Sequence, residues 1–276
     1  MLEIRGDLHN FKLGRRSFIV DAAHGARITR FGLDEANLLT GPEVDMLNYG
    51  STFWPSPQER WGWPPVPELD SEPYVFTEAP SQFKSRPGMR AKVSVTKVVD
   101  SLIGEDTVEI TYGLTNEDSG AASWAAWEIT RVAAGGLSFF PTGERKANTQ
   151  LSVVDQAGIS WFQHDPMKIS GEGQKFTGDG SEGWLAHVAG RSLLVKKFVD
   201  VPADAQAPAP EAEIALYAAR GYVEIEPQGP YTELMPGESL SWKVRWIVAE
   251  LPSQLSAELG SQELVDFVRG LVMRAP

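Results

Sequence analysis

Apolar and polar residues alternate in short runs along most of this chain, and each run stops at turn-forming residues. Ser17-Phe-Ile-Val-Asp21 and Ala26-Arg-Ile-Thr-Arg-Phe-Gly-Leu33 flank His24-Gly25, which predicts a hairpin. Arg90–Val99 and Thr107–Leu114 alternate as strands with one wet face do, the latter running into the turn cluster Asn116-Glu-Asp-Ser-Gly120. The same pattern predicts strands over Ser123–Val132, Ile159–Gln163, Trp184–Val188, Ser192–Val199, Glu213–Tyr217, Gly221–Glu226 and Leu240–Val248. So many strands without helical crossovers predict an all-β sandwich or barrel rather than a doubly wound sheet. One helix is predicted, at about 253–273. There Leu255, Leu259, Leu264, Phe267, Val268 and Leu271 recur near a period of 3.6, with Gly260 as an interruption. It is expected to lie against the outside of a sheet, and residues 1–276 read as one domain.

Charge and composition narrow the partners. With 25 Lys plus Arg against 37 Asp plus Glu, the formal charge is −12, which repels phosphate backbones and anionic lipid. Neither nucleic acid nor membrane is an expected partner. The absence of cysteine excludes disulfides, thiolate metal sites and cysteine nucleophiles. No apolar window reaches bilayer length, and the start of the chain lacks a signal-peptide pattern, so a cytoplasmic protein is expected.

Two loops stand out. Val201-Pro-Ala-Asp-Ala-Gln-Ala-Pro-Ala-Pro210 reads, by composition, as an extended, solvated insertion between strands. Trp54-Pro-Ser-Pro-Gln-Glu-Arg-Trp-Gly-Trp-Pro-Pro-Val-Pro67 is stiffened by proline and carries three Trp, which favours a functional loop. Gly178-Asp-Gly-Ser-Glu-Gly183 has the spacing of a dinucleotide fingerprint. A strand-like Trp184-Leu-Ala-His-Val follows it where the fingerprint needs a helix, and Asp179 and Glu182 would repel phosphate. It reads as a glycine-rich turn.

The candidate chemistry lies elsewhere. His9, His24, His164 and His187 show no metal-ligand spacing, and no metal or cofactor is expected. His164, in Trp161-Phe-Gln-His-Asp165, sits at a strand end beside a carboxylate able to orient it. In Gly221-Tyr-Val-Glu-Ile-Glu-Pro227 a period of two puts Tyr222, Glu224 and Glu226 on one face. That face is either solvated or the lining of a polar cleft, where paired carboxylates supply a general acid or base. In Trp124-Ala-Ala-Trp-Glu-Ile-Thr-Arg131, Trp127, Ile129 and Arg131 share one face and Glu128 and Thr130 the other. Aromatic rings beside charged groups suit carbohydrate, whose C–H faces stack while its hydroxyls take charge-assisted hydrogen bonds.

Three stretches carry a resemblance. Glu224-Ile-Glu-Pro-Gln-Gly-Pro-Tyr-Thr-Glu-Leu-Met-Pro-Gly-Glu-Ser-Leu-Ser-Trp242 resembles the C-terminal signature of galactose mutarotase-like proteins. Gly50-Ser-Thr-Phe-Trp-Pro-Ser-Pro-Gln58 is similar to the Trp-Pro loop of the hexose-phosphate mutarotase branch, and Asp21–Phe31 to the early hairpin of the superfamily. The resemblance implies a β-supersandwich that holds a small carbohydrate on its concave face, with aldose 1-epimerase-like chemistry and Glu226 as the general base. The chain departs from the family at both acid positions. Trp61-Gly62-Trp63 stands where the hexose-phosphate branch has His-Gly-Phe, and Ala126-Trp127-Glu128 where the superfamily carries its acid histidine. Either Glu128 or His164 serves as acid, or the site binds sugar without isomerising it. A Glu128–Glu226 pair would also suit glycosides or uronates. The expected substrate-binding residues are Trp54, Gln58, Arg60, Trp61, Trp63, Trp127, Arg131, Lys175 and Glu224. A neutral or singly anionic sugar fits them, and the oligomeric state stays open.

Overall fold

The computed structural model describes residues 2–101, 107–144 and 146–275. Among these, two large antiparallel sheets face one another. The first runs from Leu2–Arg5 through Leu8–Leu13, Arg16–Asp21, Arg27–Leu33 and Ser51–Ser56 to its centre at Ala122–Ala133. It continues through Tyr222–Pro227, Ile214–Ala218 and Gln174–Gly178 to Lys146–Thr149. The second is built around Ser239–Glu250, with Thr107–Asn116 on one side and Ser192–Lys197 on the other. The all-β expectation holds, and so does the glycine-rich turn, since Trp184–Ala189 is a strand.

The central strand Ala122–Ala133 decides which residues face where. Trp127 pairs with Trp54 and Arg131 with Glu224, so these four share the outer, concave face. Phe53, Glu128, Thr130 and Ile225 point the other way, into the space between the sheets. There Phe53 stacks on Tyr112 of the second sheet at 4.2 Å, and Trp246 meets Phe18 and Phe31 edge-on at 5.8 Å each.

Glu128 lies in that core with no exposed surface. Its carboxylate pairs with the equally buried Lys196 and accepts hydrogen bonds from the Tyr112 hydroxyl and, at 2.9 Å, from Trp246 Nε1. The Lys196 ammonium also sits 3.6 Å from the Trp246 ring centroid and donates to Thr130. Burial lowers the Lys196 pKa to about 8 against the opposing pull of Glu128. Glu128 therefore ties the sheets together.

The helix is shorter than the sequence pattern predicts, Gln262–Arg274 instead of 253–273. Gly260 adopts a positive φ of 84°, and the Ser261 hydroxyl caps the helix by accepting from Leu264 N at 3.2 Å. Leu255 and Leu259 thus precede the helix. Leu264, Val265, Val268 and Leu271 are buried against Phe139, Trp161, Trp184 and Val195 on the outer face of the second sheet, as expected. The Trp54–Pro67 stretch is not wholly loop. Its first three residues close the strand Ser51–Ser56, and the rest forms a 3₁₀ turn at Gln58–Arg60 leading toward the short helix Pro67–Asp70. Leu137–Pro141 and Gln174–Gly178 are strands that alternation does not reveal. The first is buried throughout, and the second is mostly polar and ends in glycine. Among the described residues no helix is long and apolar enough to cross a membrane.

Because removing one member strands a buried charge, Glu128→Ala is expected to cost about 3–5 kcal/mol in urea unfolding. The double variant Glu128→Leu, Lys196→Met should cost clearly less than Glu128→Ala alone, because no charge is left uncompensated.

Candidate functional site

Register across the concave face assembles the site. Arg131, Glu224, Tyr217 and Lys175 lie opposite one another in a row across four neighbouring strands. One step along, Glu226 pairs with Ala215, which pairs with Thr177. The small Ala215 side chain leaves room for Lys175 to reach diagonally, and its Nζ donates to Glu226 Oε2 at 3.3 Å. Trp127 approaches from the other side, with Nε1 donating to the same oxygen at 2.9 Å. The Lys175 ammonium also lies 4.7 Å from the Trp127 ring centroid.

Above this row opens a cleft of about 590 Å³. Trp54, Trp63, Trp127, Tyr217 and Tyr222 form its aromatic walls. Asp45, Asn48, Gln58, Gln150, Glu172, Lys175 and Glu224 supply its polar groups. Trp54 is fixed by its Nε1, which donates to Asp70 at 2.9 Å, and Trp127 meets it edge-on at 5.5 Å. Trp63 is 56% exposed and forms the rim. The Tyr217 phenol has a raised pKa, first through burial and then through the carboxylates of Glu224, Glu172 and Asp45, so it stays protonated, and it donates to Glu172 O at 2.9 Å.

Glu226 lies beneath the cleft floor without exposed surface, and its Oε1 has no hydrogen-bond partner among the described residues. Burial pushes its carboxyl up to about 7; Glu224 adds to the rise, while the Lys175 ammonium and the Trp127 hydrogen bond oppose it. For Lys175, burial favours the neutral amine, but Glu226, Glu211 and Glu224 outweigh it and raise the pKa. Such a pair holds a carboxyl that titrates near neutrality beside an ammonium that stays protonated there.

Of the residues singled out from sequence, Trp54, Gln58, Trp63, Trp127, Lys175 and Glu224 line the cleft. Glu226 sits below them. Arg131 stands behind Glu224, with Nε donating to it at 2.8 Å and one Nη donating to Thr52 at 2.8 Å. Four more of the expected residues lie away from the cleft. Glu128 follows Trp127 in a strand and must face the opposite side, where Lys196 holds it. His164 is buried, its Nδ1 accepting from Gly135 N at 2.8 Å and its Nε2 bonding Ala219 O at 2.9 Å. Both ring nitrogens are thus used in joining two turns, and burial lowers its pKa. Arg60 turns to the surface, reaching Ser123 O at 2.9 Å and stacking on Trp124 at 5.0 Å. Trp61 is buried behind Trp54, with Nε1 donating to Pro55 O at 2.7 Å.

Sequence reasoning did not select Tyr217, Tyr222, Asp45, Asn48, Gln150 or Glu172. For Tyr222 the signal was present, since it shares the alternation of Glu224 and Glu226. Tyr217 becomes a wall only through its pairing with Lys175, more than forty positions away.

No protein-family model matches the sequence, nor does any curated protein sequence. Solved structures do match. A galactose mutarotase-like protein from Lactobacillus casei superposes with a TM-score of 0.61 at 10% identity, covering 88% of this chain and 100% of its own. The fold is that of galactose mutarotase-like proteins. A galactose mutarotase related enzyme from Lactobacillus acidophilus gives 0.57 at 8% identity, over 91% of this chain and 100% of its own. A candidate aldose 1-epimerase from Escherichia coli K12 gives 0.57 at 13%, over 88% and 99%. At such identities the mutarotase-like likeness establishes architecture alone.

Removing the cation should lift the carboxyl further. Lys175→Met is expected to move the Glu226 pKa above 7, read by ¹³C titration of the side-chain carboxyl and assigned by its loss in Glu226→Gln. An unchanged value would mean that the ammonium is not coupled to it.

Proposed function

We propose that the cleft binds a neutral aldose and that the Lys175–Glu226 pair interconverts its anomers. The observation that carries this reading is the buried Glu226, with one oxygen unpartnered, its pKa near 7, and a cleft-lining ammonium 3.3 Å from the other oxygen. In this scheme sugar binding uncovers the Glu226 carboxylate beneath the cleft floor, which then takes the proton of the anomeric hydroxyl. The C1–ring-oxygen bond breaks with its electron pair going to oxygen, and Lys175 supplies the proton that oxygen receives. Rotation about C1–C2 and reclosure by the reverse transfers give the other anomer and return both groups to their starting states. The aromatic walls supply stacking faces, and Tyr217, Asn48 and Gln150 supply hydroxyl partners. Asp45, Glu172 and Glu224 line the cleft against one ammonium that is already paired, which favours a neutral sugar over a sugar phosphate.

A second reading, binding without isomerisation, is favoured by one observation. None of the four histidines lines the cleft, and an ammonium of raised pKa is a weak acid. Anomer exchange measured by NMR across aldoses and sugar phosphates separates the two. Acceleration is expected for neutral aldoses, lost in Glu226→Gln. Because the base works ionised, kcat/KM should rise with pH through about 7 and hold until Lys175 deprotonates. Line broadening by bound sugar without any acceleration would leave the binding reading.

A further inference from the structure

The Val201–Pro210 segment is solvated at Pro202, Asp204 and Pro208–Pro210, as its composition predicts, but it is also pinned to the body of the protein. Val201, Gln206 and Ala207 are buried. The Gln206 carboxamide donates to the Asp179 carboxylate and, at 2.8 Å, to Val201 O, and it accepts from Glu213 N at 3.2 Å. Glu213 in turn accepts from Val201 N at 2.7 Å and Gly180 N at 2.9 Å, and Thr177 donates to Pro210 O at 2.7 Å. A buried polar latch therefore holds an Ala/Pro loop in one shape. That is an unusual use of four polar side chains unless the shape matters.

What the latched loop does is wall a second cavity, of about 300 Å³. Pro208 and Pro210 form one side, with Pro57, Asn148, Thr177 and Glu211 around them. This cavity meets the main cleft at two shared residues, Gln58 and Lys175. Glu211 is fixed at the junction, accepting from Gln58 N at 3.3 Å and from Gln228 Nε2 at 3.0 Å.

We propose that this second cavity is a sugar-ring subsite, so that the ligand is a neutral reducing disaccharide or longer saccharide lying across Lys175. The proposal rests on the carbohydrate reading of the main cleft. Proline rings present C–H surface to a pyranose, while Asn148 and Glu211 take hydroxyls. Glu59 and Glu211, against the single cation of Lys175, disfavour an anionic unit. Cavities of a few hundred Å³ with few polar groups on a rigid wall suit small ligands, and the preformed wall spares the ordering cost of binding. A monosaccharide at Lys175 fills only one of the two cavities.

The test is calorimetric titration with glucose, galactose, maltose, cellobiose and lactose. At least one disaccharide is expected to bind roughly tenfold or more tightly than the monosaccharides, the scale of one added set of ring contacts. Asn148→Trp and Pro208→Trp each fill the second cavity and should bring the disaccharide-to-monosaccharide ratio close to one; if one of them fails to fold, the other decides. Equal affinities in the wild type, or a preference that survives the fillers, would overturn the subsite. Anomer exchange on monosaccharides would then still stand. Failure of every saccharide to bind would overturn the subsite and the carbohydrate reading together.

Discussion

The buried ion pair between Glu128 and Lys196 fixes one sheet against the other directly beneath the cleft. Two charges without exposed surface are tolerable only when their remaining hydrogen-bonding capacity is met, and here Tyr112, Trp246 and Thr130 meet it. Since Glu128 is locked inward, its neighbour Trp127 is locked outward, and Trp127 is the donor that holds Glu226. The pleat of a single strand thus transmits the packing of the core to the floor of the cleft.

On the concave face, the controlling feature is a diagonal contact across a small residue. Lys175 can reach Glu226 because Ala215 intervenes in the row that Glu226 occupies. The resulting pair combines a carboxyl whose ionised form burial disfavours with a cation that neighbouring carboxylates maintain. This differs in kind from a histidine-based acid–base site. In the proposed scheme it supplies a proton acceptor near neutrality and, in the ammonium, a weak acid for the ring oxygen.

The rim follows from the same logic of anchoring. Residues that look available from composition are immobilised by backbone acceptors: Trp61 by Pro55, Arg60 by Ser123, and the Ala/Pro loop through Gln206. What stays accessible is a small group on rigid strands and latched loops, such as Trp63, Tyr217, Lys175 and Gln58. A site built this way is preorganised, since little of it must be ordered when a ligand arrives.

Alternation along single strands was legible in the sequence. It determined the all-β class, the facing of Glu224 with Glu226, the opposed facing of Trp127 and Glu128, and the stretch that carries the terminal helix. These depend only on period and on turn chemistry, which neighbouring residues impose on one another. The same period already excluded Glu128 from any surface that Trp127 lines. Tertiary structure alone decided which distant strands became neighbours. The pairing of Gln174–Gly178 with Ile214–Ala218 brought Lys175 beside Tyr217 and within reach of Glu226. It also decided that His164 spends both nitrogens on backbone and that a solvated proline-rich segment is latched at Val201 and Gln206. Register between strands about forty residues apart is set by the packing of the whole core, and no local pattern encodes it.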